Sequence, residues 1–169
     1  MAFTIATVAL DNGARIGVSP LPGRGGALDA DIADIATWGA DAVISMTEWH
    51  EIEHVGATDA PTQYKDAGIA WFHMPIRDFG GPQGQSAEIW PVLSAQLHKI
   101  LDAGGAVLTH CYGGHGRSGM VAMRLMVERG ETPEEALARI RAVRPGAVEA
   151  PEQVRWASAG SSRGVSGGW

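Results

Sequence analysis

The chain has 169 residues and a mass of 17.8 kDa, which is the size of one ordinary domain. Hydrophobic residues make up 45% of it and charged residues 19%, so it can bury a core and is not a disordered chain. The net charge of −6 argues against non-specific binding to nucleic acid or to an anionic membrane, and neither is a predicted partner.

Cys111 is the only cysteine, which excludes an intramolecular disulfide and a cysteine-rich zinc cluster. A lone thiol fits a reducing compartment, and the first residues lack the basic start and long apolar run of a secretory signal, so a cytoplasmic protein is predicted. No run of about 18 apolar residues is present, so no membrane span is expected. We expect one domain over residues 1–160 and a flexible Ser/Gly-rich tail over residues 161–169.

Hydrophobic periodicity and turn residues predict alternating strands and helices in the first half of the chain. The expected elements are a strand around residues 3–8, a second strand at 15–18, a helix at 29–39, a strand at 42–46, and short helices at 48–55 and 61–67. Asp11, Asn12 and Gly13 form a turn signal, so the first two strands are expected to pair as a hairpin.

The second half continues the alternation. The expected elements are a strand at residues 69–74, a helix at 86–103, a strand at 106–109, helices at 119–129 and 133–143, and a short helix from Pro151. Pro91 removes a backbone donor, so the helix at 86–103 is expected to begin nearer to it. Thr132 and Glu135 form a capping box around Pro133. The predicted class is α/β, with a mainly parallel central sheet flanked by helices.

The most informative segment follows the predicted strand at residues 106–109. Cys111 comes directly after His110, three glycines stand within the next five residues, and Arg117 lies six positions after the cysteine, where a helix begins. Glycines allow the backbone to fold into a cradle whose N–H groups converge on an anion, and the helix adds its positive end. The predicted cradle residues, which would bind the substrate, are Tyr112, Gly113, Gly114, His115 and Gly116.

The thiol inside such a cradle ionises easily, because helix N-termini and cations lower the pKa of cysteine. Arg117 can offer two parallel donors to a tetrahedral oxyanion. One loop thus combines a dianion site with a nucleophile aimed at its centre, which predicts phosphomonoester hydrolysis through a cysteinyl-phosphate.

Three other interpretations of this loop are weaker. An isolated cysteine after a strand is usually a small buried hydrophobe, but the glycines and Arg117 argue against that here. A Walker loop needs a lysine, which this loop lacks. Metal binding by His110, Cys111 and His115 would need convergent side chains on a loop whose amides converge, so no metal and no cofactor are predicted.

The loop resembles the signature of the cysteine-dependent protein tyrosine and dual-specificity phosphatases, with the sequence HCYGGHGRS at residues 110–118. The segments PIRD at residues 75–78 and PEEA at residues 133–136 are similar to the kinase-associated, cyclin-dependent kinase inhibitor 3-like branch of that superfamily. The resemblance extends over about residues 28–156. One departure is His115, at a position that is often apolar in the branch.

A separate loop supplies the candidate acid. The alkoxide or phenoxide that leaves phosphorus needs a proton, and Asp78 stands on a glycine-hinged loop after a predicted strand. The resemblance implies that Asp78 is the general acid; the alternative is an ordinary turn residue or helix cap.

Ser118 is predicted to donate its hydroxyl to the sulfur, to cap the helix, or both. His110 is expected to support the loop by hydrogen bonds. Gln153 resembles a glutamine that some relatives use near the attacking water, but we interpret it as a surface helix residue.

The predicted function is a metal-independent phosphatase for phosphotyrosine, phosphoserine or phosphothreonine in proteins. Cys111, Arg117, Asp78 and Ser118 are the predicted catalytic residues, and a phosphorylated protein or peptide, or a kinase, is the predicted partner. One alternative is the same chemistry on a phosphoinositide, a nucleotide or an RNA end, which the acidic chain and the lysine-free loop disfavour. Another is a kinase-binding module with weak activity, which would be expected to lack one of the catalytic residues.

Overall fold

In a computed structural model, which describes residues 3–161, strands and helices alternate along the chain as predicted. The strands are β1 Ala6–Ala9, β2 Arg15–Ser19, β3 Ala42–Ser45, β4 Ala70–His73 and β5 Ala106–His110. The helices are α1 Leu28–Trp38, α2 Trp49–His54, α3 Ala60–Asp66, α4 Gln85–Asp102, α5 Gly116–Glu128, α6 Pro133–Val143 and α7 Pro151–Ser158. The predicted tail lies outside the described residues except for Ser161, so the division into domain and tail stays a prediction.

The five strands form one sheet in the order β1-β2-β5-β3-β4. Only the β1–β2 hairpin is antiparallel; the other three pairings are parallel. His110, the last residue of β5, pairs with Ser19 at the end of β2 and with Ser45 at the end of β3. The carboxyl ends of the three central strands therefore lie side by side, and the segment after β5 emerges between its two neighbours. The predicted mainly parallel α/β fold is confirmed.

Both faces of the sheet are covered by helices, because successive side chains of a strand point to opposite faces. On β5, Val107 packs in the larger core cluster with residues of α4, α5, α6 and α7, whereas Leu108 packs in a second cluster with residues of α1 and α3. Burial of a strand on both faces is typical of parallel sheets, and every residue of β3 and β5 is buried.

Two helices begin earlier than the sequence predicts. Helix α4 begins at Gln85 and runs through Pro91, which corrects the expectation of a start nearer to the proline. Pro91 is exposed, as is Ala87 one turn earlier, so the carbonyl that Pro91 cannot bind faces solvent while Trp90 buries its ring on the opposite face. Helix α5 begins at Gly116 and not at Gly119, which places Arg117 in its first turn.

A buried carboxylate joins α4 to α5. Glu128 accepts hydrogen bonds from Trp90, Ser94 and His98 of α4 and from Arg124 of its own helix, at 2.7 to 3.0 Å. Burial alone would raise the pKa of Glu128, but these four donors lower it to about 2. The carboxylate therefore stays ionised and fixes the two helices against each other.

Within residues 3–161, no helix combines the length and the apolar character that crossing a bilayer requires.

Candidate active site

Cys111 lies immediately after β5, where the central strands end, and is buried with 3% of its surface exposed. Thr109 fixes the end of the strand, because its hydroxyl bonds the Gly17 carbonyl of β2 at 2.9 Å and the Ser118 carbonyl of α5 at 3.2 Å. These two bonds fix the positions of β5 and α5, which flank the loop, relative to each other.

The backbone of the loop after Cys111 has an unusual hydrogen-bonding state. The seven N–H groups of residues 112–118 donate to none of the residues that the structure describes. Gly114 adopts a φ of +77°, and a Cβ there would lie 2.6 Å from Pro20 N and from Ser19 C, so the turn needs glycine for both conformation and space. A run of free amides next to a helix N-terminus is the arrangement that binds oxyanions.

The carbonyls of the loop, in contrast, are bound from outside. Arg144 donates from Nε to the Gly114 carbonyl at 2.8 Å and from Nη2 to the Gly113 carbonyl at 2.9 Å. The Leu21 amide donates to the Tyr112 carbonyl at 3.1 Å, and Arg24 stacks on the Tyr112 ring at 4.5 Å. These contacts hold the carbonyls on the outer side, which leaves the amides for the inner side. Arg144 lies directly after α6 and belongs to no sequence motif, so no signal in the sequence pointed to it.

Arg117 is 1% exposed and forms a two-point ion pair with Glu51 of α2, at 2.7 and 2.8 Å. Its Nη1 also donates to the Ile76 carbonyl at 3.0 Å, whereas Nε is buried without a described partner. Burial alone would raise the pKa of Glu51, but the hydrogen bond and charge of Arg117 hold it below its ordinary value. Burial likewise opposes the charge of Arg117, yet Glu51 and the Cys111 thiolate raise its pKa. The cation is thereby fixed and retains two donors for an anion in the cradle, the Nε–H and the second N–H of Nη2.

Ser118 is fully buried in the first turn of α5, with its hydroxyl oxygen 3.2 Å from the sulfur of Cys111. Among the described residues, no helix amide donates a hydrogen bond to this hydroxyl, and the N-cap position belongs to His115. Of its two predicted roles, the geometry therefore fits the contact with sulfur and not the cap.

His110 is buried below the loop, as expected for a supporting residue. Its Nε2 meets the Ser45 hydroxyl and its Nδ1 lies 3.2 Å from the Cys111 carbonyl. Trp71 donates to the same Ser45 hydroxyl at 2.8 Å. Burial lowers the pKa of His110 to about 4, so the ring is neutral near pH 7 and ties β5 to β3.

Asp78 lies on the loop between β4 and α4, above Arg117. Its Oδ1 accepts the Phe79 amide at 3.0 Å and stands 3.5 Å from Nη2 of Arg117, while 58% of its side chain is exposed. Phe79 has a φ of +62° and a largely exposed ring. The carboxylate therefore reaches both the cradle arginine and solvent, as a proton donor to a bound substrate must.

Gln153 is fully buried, so its interpretation as a surface residue is wrong. Its Oε1 accepts the amides of Glu149 and Ala150 at 3.1 Å, and its Nε2 donates to the Gly80 carbonyl at 3.2 Å. A Cβ on Gly116 would lie 2.9 Å from the same Oε1. Gln153 thus packs between the start of α5 and the loop that carries Asp78. The sequence signal for its burial is weak, because α7 has only eight residues.

His115 is half-buried at the rim of the loop, where burial and the neighbouring Arg144 lower its pKa. The side chains of His110 and His115 do not converge with the thiol as metal ligands would: His110 is bonded to Ser45. The described residues include one cluster with the geometry of a metal site, formed by Glu48, His50 and Glu51. Both carboxylate oxygens of Glu51 already accept hydrogen bonds from Arg117, so the Glu51 carboxylate of this cluster binds the arginine.

The site therefore unites a buried thiol, a run of free amides, a fixed guanidinium and a partly exposed carboxylate. The amides and the guanidinium can hold a tetrahedral dianion, the thiol can attack its central atom, and the carboxylate can exchange a proton with a leaving group. Each of the predicted residues Cys111, Arg117, Ser118 and Asp78 lies within this arrangement.

Comparisons with known proteins agree with this chemistry. Residues 16–131 match a family model described as "polymorphic toxin system, DSP-PTPase phosphatase". Protein tyrosine phosphatase type IVA 3 of Bos taurus is 32% identical over 126 residues, which cover 74% of this chain and 67% of the relative. Cyclin-dependent kinase inhibitor 3 of Mus musculus is 28% identical over 131 residues, covering 76% and 61% of the two chains.

Solved structures share the fold. The crystal structure of kinase associated phosphatase with its catalytic-site cysteine replaced by serine superposes with a TM-score of 0.79, at 24% identity and with 93% of each chain covered. The structure of PTPMT1 in complex with PI(5)P gives a TM-score of 0.65 at 20% identity, covering 90% of this chain and 92% of the other. One of these structures is named for its association with a kinase and the other contains PI(5)P. The fold by itself therefore does not identify the substrate.

Proposed function

The chain belongs to the DSP-PTPase phosphatase family of polymorphic toxin systems, a part of the cysteine-dependent phosphatase superfamily, and on that premise we propose that it dephosphorylates proteins through a cysteinyl-phosphate intermediate. The observation that carries this proposal is the buried thiol of Cys111 next to the seven free amides of residues 112–118. A sulfur nucleophile and an oxyanion-binding cradle in one loop are the groups needed to transfer a phosphoryl group from an ester to sulfur.

In the first step, the Cys111 thiolate attacks phosphorus and the bond to the ester oxygen breaks. The loop amides and the Nε of Arg117, which has no described protein partner, hold the three equatorial oxygens. Asp78 gives its proton to the leaving oxygen, which departs as a neutral hydroxyl. The Ser118 hydroxyl, 3.2 Å from sulfur, stabilises the thiolate before attack.

In the second step, water attacks the phosphorus of the cysteinyl-phosphate and the sulfur leaves. Asp78, now ionised, removes the proton from that water, and inorganic phosphate forms. The Ser118 hydroxyl donates to the departing sulfur, so that the thiolate is regenerated without a metal or an added acid. Glu51 keeps the guanidinium of Arg117 in place through both steps.

A protein substrate is supported by the names of the relatives, by the acidic chain and by the absence of lysine from the cradle. Tyrosine, serine and threonine phosphates all remain within the proposal, and a phosphorylated kinase is one substrate to test because of the similarity to cyclin-dependent kinase inhibitor 3. A reducing compartment such as the cytoplasm, in which the sole thiol stays free, is part of the same proposal.

The decisive experiment follows phosphate release from a panel of phosphopeptides, phosphoinositides and nucleotides in the presence of EDTA. We expect phosphopeptides to be hydrolysed with the highest kcat/KM, and Cys111→Ser to bind them without turnover because the amides and Arg117 remain. A phosphoenzyme, trapped by rapid denaturation and located on Cys111 by mass spectrometry, would identify the intermediate. Normal turnover by Cys111→Ser would overturn the mechanism, and a preference for lipid or nucleotide would overturn the substrate class.

A further inference from the structure

A second cavity lies on the outer side of the phosphate-binding loop. It encloses about 450 Å³ and reaches Gly113 of the loop. Its other lining residues are Phe3, Thr4, Pro20, Leu21, Arg24, Gly25, Ala27, Asp31 and Arg144. We call it the rear cavity, because Arg24 and Arg144 bind the loop carbonyls, which point away from the amides of the catalytic cradle. A volume of this size is in the range of small-molecule sites.

The charges of the rear cavity favour an anion. Arg24 is exposed and uses one donor, at 3.4 Å, on the Tyr112 carbonyl; its other donors meet no acceptor among the described residues. Arg144 uses Nε and Nη2 on the loop and keeps Nη1. The carboxylate of Asp31 opposes them, but one of its oxygens accepts the Gly23 amide at 2.8 Å. Two cations thus face one partly engaged carboxylate.

The remaining wall is apolar. Leu21 is 3% exposed and Phe3 is half-buried, and Pro20 and Ala27 complete the surface beside the two guanidinium groups. Such a wall excludes a ligand that is polar all round and fits one with an apolar body and one charged end. A carboxylate is suited to the charged end, because a guanidinium can bind its two oxygens together.

A ligand in the rear cavity is coupled to catalysis through the loop itself. Arg144 holds the carbonyls of Gly113 and Gly114, whose amides belong to the cradle. A carboxylate bound to Arg24 and Arg144 competes for these guanidinium groups and adds negative charge behind a loop that must bind a dianion. Both effects lower the affinity of the cradle, on the inner side of the loop, for phosphate.

We propose that the rear cavity binds a small amphipathic carboxylate and that the bound carboxylate inhibits the enzyme from the outer side of the loop. The site goes beyond the catalytic function, because none of Cys111, Arg117, Ser118 and Asp78 lines it, and it meets the cradle only from behind, at Gly113. Its charged anchor is Arg24 together with Arg144, and its apolar wall is formed by Leu21, Phe3 and Ala27.

Binding is tested by protein-observed NMR with three probes, benzoate, 4-phenylbutyrate and octanoate, and with the matching alcohols as uncharged controls. We expect the amides of Gly25 and Gly113 to shift with a carboxylate, with a dissociation constant on the order of 1 mM for so small a ligand, and not with its alcohol. Arg24→Gln should remove the charged anchor, and Ala27→Trp should fill the cavity. Arg155→Gln, an exposed arginine of α7 outside the cavity, is the matched control.

Coupling is tested with p-nitrophenyl phosphate and, independently of activity, with inorganic phosphate titrated onto the Ser118 amide. A saturating carboxylate should raise KM and weaken phosphate binding about fivefold, the lower end of measured allosteric coupling. The inhibition should be partial, with KM reaching a plateau as the carboxylate saturates and kcat unchanged, and it should disappear in Arg24→Gln and Ala27→Trp but persist in Arg155→Gln.

Three results would overturn the proposal. The first is that none of the carboxylates shifts the cavity amides at millimolar concentration. The second is purely competitive inhibition that Arg24→Gln and Ala27→Trp leave unchanged, which would place the carboxylate in the catalytic cradle. The third is binding in the rear cavity without any change in phosphate affinity. A protein that lacks phosphatase activity would contradict the proposed function, whereas the two NMR titrations would still decide this inference.

Discussion

Arg117 is a buried cation at the centre of the proposed active site. Burying a charge is unfavourable unless it is paired and hydrogen-bonded, and Glu51 satisfies the two ends of the guanidinium fork at 2.7 and 2.8 Å. The pairing leaves the buried Nε without a described partner. A planar guanidinium can be held by a carboxylate at one edge while an N–H at another edge binds an oxyanion. The ammonium group of a lysine cannot do both in a fixed geometry.

Glu51 should therefore act as a positioning residue. We expect Glu51→Ala to lower kcat/KM for p-nitrophenyl phosphate about 10²-fold, because small displacements of a catalytic group have costs of that order. Restoring the carboxylate as Glu51→Asp should recover part of the loss. Glu53→Ala, at an exposed position of the same helix, is the control. Equal activity of the Glu51→Ala and Glu53→Ala variants would contradict the role.

Asp78 is tested by the dependence of the rate on the leaving group. Asp78→Asn should slow alkyl phosphates and phosphothreonine peptides by about 10²–10⁴-fold, and activated aryl phosphates much less, because only a poor leaving group needs the proton. The basic limb of the pH–rate profile should flatten. Asp66→Asn, at an exposed position of α3, should leave the rates unchanged. An equal loss on all substrates would assign the acid role to another residue.

The phosphate-binding loop is the element that decides whether the site forms. Its amides are free because its carbonyls are held from outside by Leu21, Arg24 and Arg144. The sheet fixes one end of the loop at β5, and α5 fixes the other through the Thr109 contact with the Ser118 carbonyl. The geometry of the cradle is thus set by contacts around it.

A pair of glycine variants separates backbone conformation from close packing. Gly114 and Gly13 have φ values of +77° and +84°, but a Cβ on Gly114 would meet Pro20 N and Ser19 C at 2.6 Å, whereas a Cβ on Gly13 would meet nothing within 4 Å. We expect Gly13→Ala to lower stability by about 1–2 kcal/mol, with normal activity. Gly114→Ala should lose most activity, measured as kcat/KM alongside urea unfolding. Matching effects of the two variants would show that the close approach is unimportant.

Stability of the whole molecule should depend on pH through His110. Burial lowers its pKa from 6.5 to about 4, so between these values the unfolded chain binds a proton that the folded chain does not. Stability therefore rises as the pH rises from 4 to 6.5, by on the order of 3 kcal/mol, and is lost as the pH falls through the same window.

The measurement is urea unfolding across this window for the parent and for His110→Asn. The variant should be less stable at neutral pH, since it loses the ring between Ser45 and the Cys111 carbonyl, but its stability should depend less on pH. The slope is compared above pH 4.5, because the contribution of Glu128, whose pKa falls from 4.5 to about 2 on folding, is lost only as the pH falls from 4.5 towards 2. An unchanged slope in His110→Asn would mean that another group titrates.

The order of strands and helices, the mainly parallel sheet, and the positions of Cys111 after a strand, Arg117 at the start of a helix and Asp78 on a separate loop were predictable from the sequence. These features follow from local periodicity, from turn residues and from the six-residue spacing within one loop, which are properties of contiguous chain. The early start of α4 was missed because the tolerance of Pro91 depends on which face of the helix meets solvent.

The residues that support the site were brought to it by tertiary packing. Glu51 and Arg117 are 66 residues apart, Arg144 and Gly113 are 31 apart, and Gln153 and Gly80 are 73 apart. No spacing rule links such pairs, because each contact exists only once the helices have packed on the sheet and brought distant segments together. The nucleophile can be found in a sequence because its loop is continuous, whereas the groups that orient the arginine, the cradle and the acid are selected by packing.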